Sequence, residues 1–224
     1  MTTTHATPGI IFHNLEGQLE VITGLLIGGS ESGLEVGGVD KTFIHTREGY
    51  PYIPGSSLKG KIRSILERHQ NKLSPNGAAH SCEDAQCDIC QLFGAGNVRD
   101  HLPERGPTRL LFRDAAFSDI SRREFIEAMD KGERYYETKT ETAINRRTGA
   151  AFGGSLHTFE RVPPGAVFDF RITLRALQGD DVAAMQRVVE AGLRGLENDY
   201  LGSSGSRGYG RVKVTVSAWQ QAEL

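Results

Sequence analysis

The chain has 224 residues, 38% hydrophobic and 24% charged, with a net charge of −2. This is enough for one mid-sized domain, or a domain with large insertions, that buries a real core and behaves as a soluble globular protein. The near-neutral charge argues against a generically basic nucleic-acid binder. No run of about 18 apolar residues predicts a membrane-spanning helix, and no membrane partner is expected. Met1-Thr2-Thr3-Thr4-His5 lacks the charged and apolar regions of a secretion signal, so a cytoplasmic location is expected.

In chain order, residues 9–27 alternate apolar and polar through Leu15, Leu19, Val21 and Leu25-Leu26-Ile27, which predicts an opening strand ending at Gly28-Gly29. A Gly-rich loop runs to about Val39. Pro54-Gly55-Ser56-Ser57 then opens a helix to about residue 72, with Ser56 or Ser57 as its cap and Leu58, Ile62, Ile65 and Leu66 at helical spacing. Residues 74–108 are rich in Pro, Gly, Asn, Cys and Asp without periodicity and read as an insertion too long to be idle. Leu110–Phe117 reads as a strand, and Ser118 starts a short helix through Phe125, Ile126 and Met129. Residues 133–162 form an irregular or extended excursion around Asn145-Arg146-Arg147-Thr148-Gly149. Phe168, Phe170, Ile172, Leu174 and Ala176 alternate as a half-buried strand, and Val182, Met185, Val189 and Leu193 mark a second long helix. A Gly/Ser loop spans Gly202–Gly210, and Val212, Val214 and Val216 give the last strand. This order suits an α+β fold with a split βαβ, ferredoxin-like (RRM-like) core and two large insertions.

Charge is unevenly distributed. Residues 1–50 hold six acidic and two basic side chains, residues 59–72 five basic and one acidic, and residues 134–175 seven basic and four acidic. Local basic surface on a near-neutral protein is compatible with a phosphate backbone, but on charge alone an ordinary solvated surface is the favoured reading.

Three constellations carry possible chemistry. His80, Cys82, Cys87 and Cys90 make a complete tetrahedral Zn²⁺ set, and a filled set is structural because no coordination position stays open. Asp84, Asp88 or His69 compete with His80 for the fourth place. Such an ion would order a loop with few apolar residues. The Gly202–Gly210 loop with Arg207, and the helix start with Ser57, Lys59 and Lys61, offer backbone donors and cations to an anion, although a flexible turn and a plain capped helix are the blander readings. Asp40 follows Gly37-Gly38-Val39 in a loop, where a lone Asp is ordinarily a turn residue.

Taken together, Gly28-Gly29, Val39-Asp40 and Ile53-Pro54-Gly55-Ser56-Ser57-Leu58-Lys59-Gly60 resemble the opening of RAMP-type backbone subunits of type III CRISPR effector complexes. Leu92-Phe93-Gly94 after the cysteines, Thr138-Lys139-x-Glu141-x-x-Ile144-Asn145-Arg146, Glu197–Gly202 and Gly205–Arg211 continue the likeness in order over about residues 15–216. The repeated Csm-type subunit of type III-A is the nearest likeness.

The resemblance implies a single RAMP domain over residues 1–224, a zinc-bearing insertion at 74–108 and a thumb hairpin at 133–162. It implies copies stacked in an open filament along a guide RNA, with target RNA and other CRISPR subunits as partners. RNA contacts would come from Ser57, Lys59, Lys61, Arg146 and Arg207, mainly to backbone. It also implies cleavage of the paired target at regular kinks, with Asp40 as the catalytic residue and Mg²⁺ or Mn²⁺ assisting, giving 2′,3′-cyclic phosphate and 5′-hydroxyl ends. Leu26 stands where some relatives carry a histidine, so cutting would rely on Asp40, metal and RNA geometry. The alternative is a non-catalytic RNA-binding scaffold of the same kind of complex; a guide-processing nuclease ranks below both.

Overall fold

The computed structural model describes residues 9–28, 42–95 and 103–222. Strand β1 (Ile11–Val21) buries Leu15, Leu19 and Val21 on one face and turns Glu16 and Gln18 to solvent. It pairs antiparallel with β7 (Val167–Ala176), Leu15 opposite Ile172 and Leu19 opposite Phe168. With β2 (Tyr52–Ile53), β4 (Ala115–Phe117) and β8 (Val212–Val216) the order across the sheet is β2-β4-β7-β1-β8, and every pairing is antiparallel. Strand β3 (Leu110–Phe112) also pairs with β7, and β9 (Gln220–Gln221) with β1. The result is a mixed α/β fold built on an antiparallel sheet.

Helices α1 (Gly55–His69) and α4 (Val182–Asn198) cover the apolar face, placing Leu58, Ile62, Leu66, Met185, Val189 and Leu193 in one cluster with the strand residues. They approach closely because α4 offers glycines to α1: a Cβ on Gly192 would lie 2.6 Å from Ile62 Cγ2. The opposite sheet face is polar, with Arg171 donating to Glu16 at 2.5 Å and Gln18 to Asp169 at 2.9 Å.

Several expected boundaries shift, each for a tertiary reason. The opening strand stops at Val21 because the Ile22 and Thr23 amides both turn to Arg211 O (2.9 and 3.2 Å) and Leu25 leaves to bridge Val162. Neither Ser56 nor Ser57 caps α1: Pro54 holds the N-cap position, and the Asp114 carboxylate accepts from the Gly55 amide at 2.7 Å. That contact sits where the expected strand over 110–117 breaks between β3 and β4. A Cβ on Gly55 would lie 2.7 Å from Phe112 O, so the helix start is pressed against the break. Helix α1 ends at His69, and Asn71 follows with a positive φ of 54°.

Within residues 74–108 a short helix, α2 (Asp88–Phe93), buries Ile89, Leu92 and Phe93 in the main core. Helix α3 (Asp119–Asp130) starts at Ser118, whose hydroxyl accepts from Ser121 N at 3.3 Å. Residues 133–162 contain a separate antiparallel pair, β5 (Glu137–Glu141) and β6 (His157–Arg161). An Ile144–Ala151 bridge carries it toward a turn in which the Asn145 side chain accepts from Arg147 N and Thr148 N. Among the described residues no helix is long and apolar enough to cross a membrane.

Candidate functional site

The His80, Cys82, Cys87 and Cys90 side chains converge at the start of α2, their ligand atoms all within 4.8 Å of one another. The cysteines form no disulfide. Cys82 Sγ and Cys90 Sγ are 3.8 Å apart, and Cys87 Sγ is 3.5 Å from His80 Nε2. Sulfurs on a tetrahedral Zn²⁺ at about 2.3 Å stand about 3.8 Å from one another, so the donor set fits that ion in type and spacing.

Three charged side chains support this loop. Glu67, almost fully buried on α1, accepts from His80 N at 2.9 Å and from Arg63 Nε at 2.6 Å. Arg63 also donates to His80 O at 2.5 Å. On the other side, Arg105 donates to Cys82 O (2.5 Å) and Asp84 O (3.0 Å). Three thiolates and a neutral imidazole around Zn²⁺ would carry a net negative charge, which the Lys72 ammonium, 3.6 Å from Cys87 Sγ, would offset. Burial pushes the Cys90 thiol up to about 12. His69 is exposed at the end of α1, and Asp88 is engaged by Lys72 (2.7 Å) and Gln70 (2.6 Å).

A second centre forms where the β5–β6 pair meets the loop between α4 and β8. Gly202 (φ +79°) and Gly210 (φ +69°) permit the close approach: a Cβ on Gly202 would lie 2.3 Å from Leu26 O, and one on Gly210 1.9 Å from Leu201 O. Leu26, Phe159 and Tyr209 form a small buried cluster of their own there. The Tyr209 hydroxyl donates to Glu141 Oε1 at 2.6 Å, and Arg207 donates to Glu141 Oε2 at 2.8 Å. Lys139 Nζ lies 3.4 Å from Glu141 Oε1 and 4.4 Å from the centre of the Tyr209 ring. The Arg161 guanidinium also lies 4.4 Å from that ring centre.

The Tyr209 hydroxyl bond outweighs the burial of the Glu141 carboxyl and, with Arg207 and Lys139, holds it down at about 2. A carboxyl depressed in the folded state stabilises above its unfolded value of about 4.3 and loses that contribution as pH falls through the folded value. Acid is therefore expected to loosen this junction only as pH drops from about 4 toward 2, with no change between pH 5 and 8. Side-chain carboxyl chemical shifts of Glu141 followed through an acid titration check this.

The sequence-predicted RNA contacts are distributed as follows. Arg207 lies at this junction. Lys61 reaches the same loop from α1, pairing with Asp199 at 3.0 Å and lying 3.5 Å from the Tyr200 ring centre. Ser57 is half-buried in the first turn of α1. Lys59 faces another way: burial and then the Arg63 and Arg175 charges pull its ammonium below the ordinary value. Arg146 is exposed in the turn beyond β5.

Asp40 lies outside the described residues. The described positions on either side of its segment, Gly28 and Phe43, pair with each other, and Ile44 N donates to Ile27 O at 3.0 Å. The Leu26 carbonyl next to them accepts from Ser203 N at 2.9 Å, so this anchor touches the glycine-rich loop.

Glu141 and Tyr209 fall within motifs that carry the family likeness, but sequence reasoning gave neither a role. The available signal was alternation: Lys139 and Glu141, two apart in a strand, share a face and present a cation and an anion together.

The comparisons with known proteins agree with one another. The RAMP superfamily model matches residues 18–213. The CRISPR system Cms endoribonuclease Csm3 of Methanocaldococcus jannaschii is 38% identical over 89% of this chain and 77% of its own length. Its namesake from Methanothermobacter thermautotrophicus is 39% identical over 89% of this chain and 82% of its own length. The one from Enterococcus italicus is 37% identical over 90% and 89%. Among solved structures, a chain of the Csm3–Csm4 subcomplex in the type III-A CRISPR-Cas interference complex aligns with a TM-score of 0.56 and 27% identity, over 96% of this chain and 79% of the other. With a family model spanning most of its length and relatives of this identity and coverage, the chain belongs to the RAMP superfamily, among the Csm3 proteins.

Proposed function

We propose that this protein is a guide-RNA-binding backbone subunit of a type III CRISPR effector complex that cuts the complementary target RNA at regular intervals. The observation that carries the reading is the shared name of its relatives, Csm3 endoribonuclease, at 37–39% identity over about nine-tenths of the chain. The strand order β4-β7-β1-β8, with α1 and α4 on one face, supports reading the core as ferredoxin-like. On this reading the whole chain is one RAMP domain, residues 74–108 are a zinc-stabilised insertion, and residues 133–162 are a thumb that wedges into the guide–target duplex. Copies stack head to tail along the guide, beside other CRISPR subunits, in the cytoplasm.

The division of labour follows from chemistry. Base pairing reads sequence, and Ser57, Lys59, Lys61, Arg146 and Arg207 hold phosphates. His80, Cys82, Cys87 and Cys90 would hold Zn²⁺, which would order the insertion and, with all four ligands from the protein, leave none of its own positions to substrate. At each kink the RNA 2′-OH is aligned for in-line attack on the adjacent phosphate, and much of the rate comes from that alignment. Asp40 would accept the 2′-OH proton or hold a Mg²⁺ or Mn²⁺ ion that would offset developing charge. Attack by the 2′-OH forms the new O–P bond as the 5′-oxygen leaves, giving 2′,3′-cyclic phosphate and 5′-hydroxyl ends.

The test is a cleavage assay on the assembled particle. With a guide, a labelled complementary RNA and Mg²⁺ or Mn²⁺, fragments of regularly spaced length are expected. Omitting the guide or chelating the divalent ion should abolish them. A guide-loaded particle that binds target and leaves it whole overturns the nuclease assignment and leaves a scaffold.

A further inference from the structure

We infer that Arg207 is one wall of a subsite for an RNA phosphodiester, and that Glu141 occupies it with its own carboxylate until the strand arrives. This rests on the RNA-binding reading above. The geometry divides the carboxylate's partners into an inner and an outer half. Oε1 is gripped by the hydroxyl of Tyr209, a residue 1% exposed, with Lys139 at 3.4 Å. Oε2 accepts from Arg207 at 2.8 Å, and the Arg207 side chain is 61% exposed against 18% for Glu141. The inner half is an anchor, whereas the outer half is an ion pair at the surface.

That asymmetry sets which bond exchanges. A guanidinium this open to solvent holds a carboxylate only weakly, because water and salt compete for its charge. A phosphodiester offers the same guanidinium two acceptor oxygens, and its neutralisation releases condensed counterions. There is room for it: a cavity of about 550 Å³ opens beside the pair, lined by Glu141, Thr142, Ser155, His157, Phe159 and Arg207. When a phosphate takes Arg207, Glu141 keeps Tyr209 and Lys139, so the β5–β6 pair stays tethered to the loop. The carboxylate then stands close to the bound phosphate and opposes it. The subsite therefore favours a continuous strand held by other contacts over an isolated phosphate.

The test measures binding of the full-length chain to a fluorescein-labelled single-stranded RNA by anisotropy across a salt series. Glu141→Gln removes the charge and keeps an acceptor for Tyr209. It is expected to bind roughly two- to fivefold tighter, the worth of an exposed ion pair. Arg207→Ala should bind more weakly and lower the salt slope by about 0.7, one single-strand phosphate. In the double variant the gain from Glu141→Gln should vanish, because the residue it releases is gone. Tyr209→Phe, which loosens the anchor and keeps the Glu141 charge, should show no gain, and its melting temperature should fall.

An E141Q protein that binds no tighter overturns the exchange while leaving the RNA-binding reading in place. So does a gain that persists without Arg207, which would be a general charge effect. A gain in Y209F would trace the effect to hairpin mobility and overturn it as well. A wild-type chain with no RNA affinity at any salt sinks the RNA-binding reading, and this inference with it.

Discussion

Asp40→Ala is expected to cut guide-paired target RNA 10²–10⁴-fold more slowly, roughly the span that a positioned general base contributes, while the particle assembles and binds target as before. Truncating one side chain should not disturb the scaffold. The described residues on either side of the 29–41 segment are held by backbone bonds, Gly28 against Phe43 and Ile44 N on Ile27 O, which do not depend on the Asp40 carboxylate. The core beneath them is filled by Leu25, Ile27 and Phe43. Denaturing gels of labelled target give the rate, and native gels or anisotropy give binding. A companion arm uses the wild-type particle and a target carrying a single 2′-deoxy sugar at one expected cut: that fragment alone should disappear, because the attacking oxygen is missing there. Undiminished cutting by D40A would remove Asp40 from the mechanism. Cutting at the 2′-deoxy position would remove the 2′-OH as nucleophile even if Asp40 mattered.

Much of the architecture can be read from side-chain period. Leu15, Leu19 and Val21 in β1 and Phe168, Phe170, Ile172 and Leu174 in β7 alternate and are buried. Leu58, Ile62 and Leu66 in α1 and Met185, Val189 and Leu193 in α4 recur at helical spacing and fill the same core. The cysteine spacing likewise brings His80, Cys82, Cys87 and Cys90 together, because those residues are close in sequence and α2 begins among them.

Period is blind to contacts that come from elsewhere in the chain. The break between β3 and β4 is tied to the cap of α1 through Asp114 and Gly55, partners 59 residues apart. Helix α2 is too short for its pattern to emerge from a loop-like composition; its apolar residues declare themselves only by packing on the main core. The Glu141 junction joins residues 66 and 68 positions apart, so no local spacing announces it. The separation of Lys59 from Lys61 is a matter of helix geometry: residues two apart project about 200° from one another on a helix, and one meets Asp199 and Tyr200 while the other faces Arg63 and Arg175.

Cys87→Ser is expected to lose the metal and, with it, several kcal/mol of stability, since structural zinc sites in small domains contribute roughly 10–16 kcal/mol of binding free energy to folding. The loss should not stay within the loop. Cys87, Ile89, Cys90, Leu92 and Phe93 all belong to the same buried cluster as β1, β7, α1 and α4. The loop is also tied to α1 by Glu67 and Arg63, both bonded to the His80 backbone. Without the ion, Lys72 and Arg105 remain, but their bonds go to Asp88 and to backbone carbonyls and cannot replace four convergent ligands. A serine hydroxyl stays protonated near neutral pH and does not restore the set, because a ligating side chain must give up its proton. Elemental analysis of the wild-type chain should give about one zinc per chain, and the variant well under half of that. Thermal melting should fall in the variant, and in wild-type protein stripped with chelator, with zinc restoring only the latter. A Cys87→Ser protein with full metal content, or a wild-type melt indifferent to chelator and zinc, would show that the four side chains meet without holding an ion.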